Sequence, residues 1–213
     1  TGGLIHLVAG ASDATSSGSI IVQTKDAGTL GVSGRLLFSS GTTSSGSSGS
    51  ISVSTGNSMG GKGGDIKLVV GKGTSTNMVG GDLVGTAGDA TVVTGGLIRL
   101  VAGASDATSS GAISIQSKNA GDAGVSGGLS FSSGTTSSGS SGSISVTTGA
   151  ANAGKGGDIR LAVGKGTSTN MVGGDLVGTA GDATAVTGGL IRLVAGASDA
   201  TSSGAISIQS KNA

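Results

Sequence analysis

The chain repeats itself at two scales, and the shorter one sets what it can fold into. The pentapeptide "TGGLI" begins at Thr1, Thr94 and Thr187, 93 residues apart each time. Residues 94–120 return unchanged as 187–213. Within each long repeat lies a shorter unit, Gly-x-[Ile/Leu]-x-[Val/Leu/Phe]-x-[Ser/Thr/Ala/Val]-Gly. Its first members are "GLIHLVAG" at Gly3, "GSIIVQT" at Gly18, "GRLLFSSG" at Gly34, "GSISVSTG" at Gly49, "GDIKLVVG" at Gly64 and "GDLVGTAG" at Gly81; "GLIRLVAG" at Gly96 then starts the cycle again. The anchoring aliphatics Ile5, Ile20, Leu36, Ile51, Ile66, Leu83 and Ile98 stand 15 to 17 residues apart. Self-similarity at fixed periods is the signature of repeat architectures, in which each unit buries its apolar face only against its neighbours.

Each unit alternates apolar and small or polar residues, a period of two that predicts a strand. Helix is disfavoured, because each glycine costs about 1 kcal/mol relative to alanine in a helix interior and the units carry several. The expected inward residues are Ile5, Leu7, Ile20, Val22, Leu36, Phe38, Ile51, Val53, Ile66, Leu68, Leu83, Ile98 and Leu100. With 46 glycines, two phenylalanines and no Trp, Tyr, Cys or Pro, the chain cannot fill a conventional core. Disorder is the obvious alternative for Gly/Ser-rich sequence, but ordered recurrence of the aliphatics and absence of proline argue against it.

The fold class expected from these features is all-β: a narrow parallel β-solenoid of about 15–16 residues per coil, with six coils in each 93-residue repeat. Residues 1–93 and 94–186 would form two long repeats and 187–213 the start of a third, as one continuous solenoid and a window of a longer chain. Glycines at the corners would supply positive φ without steric cost.

Little in the sequence points to chemistry. His6 is the sole histidine, and arginine stands at its repeat positions, Arg99 and Arg192. Without cysteine or a second histidine, no nucleophile–base pair can be assembled. "GGKGGD" at Gly60 lacks the Ser/Thr that follows lysine in a phosphate-binding loop, and a strand pattern rather than a helix follows it. Calcium rolls place aspartate as GGxGxD; here Asp65 and Asp82 follow Gly-Gly directly, one per turn, which gives too few oxygens. Those aspartates are expected to cap turns or to pair with Lys67 and Lys62. No catalytic, cofactor or metal residue is expected, and the chain is not read as an enzyme. A formal net charge of +1 gives no electrostatic case for nucleic acid, and no run is apolar enough to enter a membrane.

Three outward apolar residues of the first long repeat, Ile21, Leu37 and Val69, become Ser114, Ser130 and Ala162 in the second. The exchange runs in one direction and predicts a lateral contact made by the first repeat. The units "SSGSSGSISVSTG" and "GGKGGDIKLVVGKG" resemble Ser/Gly-rich tandem-repeat regions of very long extracellular proteins of diatoms and related algae. The resemblance covers the whole chain and implies an extracellular or cell-surface structural role. Combined with the repeat pattern, it gives an expected function: a structural protein that forms a rod or filament by stacking and self-association. Its partners would be further copies, lateral and end-to-end, together with other matrix or surface components. An adhesin stalk and an ice-binding solenoid are the alternatives. The ice-binding rank is broken: ten residues beyond the anchors stand Thr15, Gly46, Gly61, Thr76 and Val93.

Overall fold

A computed structural model describes residues 2–75, 77–168 and 170–210. Neither helix nor strand occurs among the described residues. The expected parallel β-solenoid is therefore overturned, and the chain is mostly coil. The reason lies in where the backbone bonds go. A stack of coils requires a ladder of N–H···O=C bonds between residues about one coil apart. The bonds present instead close short loops: Gly18 N–H donates to Gly10 O at 2.8 Å, Gly96 to Gly88 at 2.8 Å, and Gly81 to Gly71 at 3.1 Å. Each spans eight to ten residues across one bend.

The short period survives as a period of bends. In the first unit (residues 1–101) they fall at 13–15, 29–31, 44–46, 59–61 and 91–93, with a turn at Asn77. In the second unit (residues 102–213) they fall at 106–108, 122–123, 137–139, 152–154, 184–186 and 199–201, with a turn at Asn170. Thr76, from the broken rank, lies outside the described residues. Positive φ is confined to a few of these corners: Gly46 and Gly139 at 101° and 113°, and Asn77 and Asn170 at 67° and 68°. The glycines that open an arm behind another arm serve a different purpose.

That purpose is close approach. Between bends run seven-residue arms, 3–9, 18–24, 34–40, 49–55, 64–70 and 81–87 in the first cycle, with 96–102 opening the next. A Cβ built on the glycine opening one arm would meet the small residue closing the arm before. At Gly18 it would lie 3.3 Å from Ala9 Cβ, at Gly34 3.2 Å from Thr24 Cγ2, at Gly49 3.6 Å from Ser40 Cβ, and at Gly64 3.1 Å from Thr55 Cβ. The same junctions recur in the second unit at Ala102–Gly111, Ser117–Gly127, Ser133–Gly142, Thr148–Gly157 and Val163–Gly174. Thr55 reinforces its junction by donating its hydroxyl to Gly64 O at 3.2 Å. Arm after arm is joined end to start in this way within each unit.

No residue among those described is buried, and no hydrophobic core forms. The residues expected to point inward, Ile5, Leu7, Ile20, Val22, Leu36, Phe38, Ile51, Val53, Ile66, Leu68, Leu83, Ile98 and Leu100, are all exposed, from 48% at Leu36 to 89% at Ile5. Among the described residues only small ones are half-buried: junction alanines such as Ala9, Ala87 and Ala102, and Ser198 within a loop. The arms retain a two-sided character. Ile20 is 54% exposed beside Ile21 at 78%, and Val70 is 41% exposed beside Val69 at 88%.

Candidate functional site

The side chains that could carry chemistry are dispersed along the chain. Among the described residues no cavity forms, and no group of three acidic or histidine side chains gathers where an ion could sit. His6 lies on an exposed arm. No helix of the structure is long and apolar enough to cross a membrane.

The charged turn "GGKGGD" is an ion pair. Lys62 Nζ lies 2.6 Å from Asp65 Oδ1, and the equivalent Lys155 lies 2.6 Å from Asp158 Oδ1 and 2.8 Å from its Oδ2. The pairing of Asp65 with Lys62 is one of those anticipated from the sequence. Both partners face solvent, so each pair contributes less than about 1 kcal/mol. The lysine thus ties down its own turn and is not free to hold a phosphate.

The hydroxyl-rich bends are also locally satisfied. Ser12 Oγ accepts the N–H of Thr15 at 3.0 Å and shares a 2.9 Å bond with the Thr15 hydroxyl. Ser105–Thr108 and Ser198–Thr201 repeat the arrangement. Thr43 donates its hydroxyl to Ser45 O at 2.9 Å, as Thr136 does to Ser138 O at 3.1 Å. Side chains of this kind commonly bond to neighbouring backbone in turns. These hydroxyls shape the corners that return the chain.

What the structure does present to a partner is aliphatic surface. Ile21, Leu37 and Val69 are exposed, and so are the anchors on the other side of the same arms. Sequence reasoning missed a second class, the apolar residues at the bends. Leu30, Met59 and Val92 each sit in a bend and are almost wholly exposed. The signal was available: all three are lost in the second repeat, where Ala123, Asn152 and Ala185 stand. Comparisons with protein-family models, with curated proteins and with solved structures found no match.

Proposed function

We propose that this chain is an extracellular structural repeat protein whose copies associate through the aliphatic side chains that a single copy leaves in water. One observation carries the reading: the periodic Ile, Leu and Val residues are all exposed, and no core forms among the described residues. Exposed apolar residues taken singly are ordinary, but contiguous patches mark interaction surfaces. Burying one such side chain contributes about 1.5–3 kcal/mol. Each of the six arms in a 93-residue repeat offers at least two large apolar residues. Burial shared between copies supplies a stabilisation that the isolated chain lacks.

Ile21, Leu37 and Val69 are the lateral contact in this reading, and the shared anchors serve both repeats. The extracellular placement follows the resemblance of the Ser/Gly-rich units. Locally bonded hydroxyls and surface ion pairs keep the corners soluble while the arms associate. Sedimentation velocity of the purified chain over a concentration series is the test. Mass action predicts a sedimentation coefficient that rises with concentration. A single monomeric species at every concentration, without binding of a hydrophobic dye, would refute the proposal.

A further inference from the structure

The arms leave their backbone groups open. Among the described residues, backbone bonds lie at the loops. The opening glycine of an arm donates back across one loop, as Gly111 does to Gly103 O and Gly204 to Gly196 O, both at 2.8 Å, or a turn closes on itself, as Met78 N–H does on Ser75 O. From the second residue of an arm to its last, no N–H or C=O meets another backbone group among the described residues. Exposure alternates along the arm at Ile20, Ile21 and Val22, which sets successive side chains on opposite sides, as in a strand. A segment with open backbone groups and alternating side chains is a template on which another strand forms.

Four arms share one uncharged pattern, Gly-[Ser/Ala]-Ile-Ser-[Val/Ile]-x-[Ser/Thr]: residues 49–55, 111–117, 142–148 and 204–210. One side of each carries two β-branched aliphatics, as Ile51 and Val53 or Ile113 and Ile115, and all of them are exposed. The other side carries serine with Thr or Gln. Short segments of high β-propensity, without charge or proline, are those that stack between chains. The remaining arms fit this less well. Arg35, Asp65, Asp82 and Arg99 stand within theirs, and like charges directly opposite one another destabilise a strand pair. In arm 18–24 the aliphatics run together as Ile20-Ile21-Val22, and arm 127–133 has a second glycine, Gly128.

We propose that each of these four arms is an interaction site that takes the same arm of a second copy as a neighbouring strand, joined by backbone N–H···O=C bonds. This rests on the reading above that exposed aliphatic groups meet other copies; it adds which segments meet and what bonds them. Each arm is one continuous stretch of chain, so the site requires no particular placement of one arm against another. The occupant follows from the chemistry. Open backbone groups at strand spacing are matched by another extended segment. In-register pairing of identical arms sets Ile on Ile and Val on Val, sets no charge against a like charge, and stacks Gln116 on Gln116 as an amide ladder. A strand paired on one side keeps a second open edge, so addition continues past two copies and gives a filament. The ladder is made between chains, while each chain keeps its own loops.

The test uses the full chain and two variants. Ser52→Pro/Ser114→Pro/Ser145→Pro/Ser207→Pro removes one N–H from each arm and leaves every aliphatic side chain in place. The same four serines changed to alanine keep the N–H and control for the lost hydroxyls. Analytical ultracentrifugation over a concentration series is expected to show association of the proline variant weakened at least about 30-fold, with the alanine variant associating as the parent does. Fibre diffraction of the assembled parent is expected to give the strand spacing of about 4.8 Å, and hydrogen exchange is expected to show protection of the amides within the four arms. If the proline variant associates as the parent does, if the alanine variant is weakened equally, or if the assembled parent lacks the strand spacing, the strand-pairing proposal is wrong and self-association stands. If the parent itself stays monomeric at every concentration, the self-association reading fails and the strand-pairing proposal with it.

Discussion

Replacing Gly73 by alanine tests the claim that glycine serves close approach here more than backbone freedom. Gly73 lies in the widest loop of the first unit, which Gly81 closes by donating its N–H to Gly71 O at 3.1 Å. A Cβ at Gly73 would stand 2.6 Å from Val79 O, 2.8 Å from Met78 O and 3.0 Å from Met78 C. Ordinary carbon–oxygen contacts begin near 3.3 Å, so the loop would have to open by about 0.7 Å. The obstructing atoms are backbone, which no rotamer change can move aside. Overpacking of this kind costs about 1–3 kcal/mol. Alanine recovers about 0.4–1 kcal/mol by restricting the unfolded chain. The net loss is about 1–2 kcal/mol, a roughly 5–30-fold fall in protection for amides whose exchange requires the loop to open. Those amides are Gly81 N–H and Met78 N–H, the latter bonded to Ser75 O at 3.1 Å. The control sits two residues away: a Cβ at Gly71 meets nothing within 4 Å. Amide hydrogen exchange measured residue by residue should separate Gly73→Ala from Gly71→Ala. Equal protection of Gly81 and Met78 in the two variants would refute the steric argument. Gly166 and Gly164 offer the same comparison in the second unit, with Val172 and Met171 as the obstruction.

Three further outcomes follow from the same geometry. Gly81→Ala should loosen its junction by about 1–2 kcal/mol, because its Cβ would meet the stiff Val70 side chain at 2.7 Å; Gly49→Ala, at 3.6 Å from Ser40, should be neutral, and exchange of the junction amides distinguishes them. Asn77→Ala should cost about 1 kcal/mol and Asn77→Gly very little, since φ is 67° there and only glycine and asparagine adopt that conformation readily; chemical shifts of Met78 report whether the turn survives. Lys62→Ala should change overall stability by less than about 1 kcal/mol, an effect that shrinks further in high salt, because both partners of the 2.6 Å pair are solvated; thermal melts at low and high salt measure it.

The spacing of bends was legible in the sequence, and so was the pairing of Lys62 with Asp65. Both are local: a turn depends on the few residues that compose it. The partner of each arm was not legible. Alternation in "GSISVSTG" says that the segment has two faces, but not which backbone groups meet. A ladder between coils was the reading that would have satisfied them within one chain. The chain instead returns across each bend, and the arm's closing small residue meets the next opening glycine. Both residue types stood in the repeat formula, yet their contact joins neighbouring units and a formula written for a single unit cannot express it. The exposed tips Leu30, Met59 and Val92 escaped notice for a related reason. They lie between the arms, outside the alternating pattern from which inward and outward positions were read.

The meeting of each opening glycine with the residue that closes the arm before makes the short unit the natural step of gain and loss. Deleting residues 34–48 would remove one arm and one bend and set Gly49 opposite Thr24, where Gly34 now stands, so the new junction again joins a glycine to a small residue. A deletion of any other length would bring a different residue to that place, and a side chain there meets what glycine avoids. Insertions and deletions in such a sequence should therefore be tolerated in whole short units.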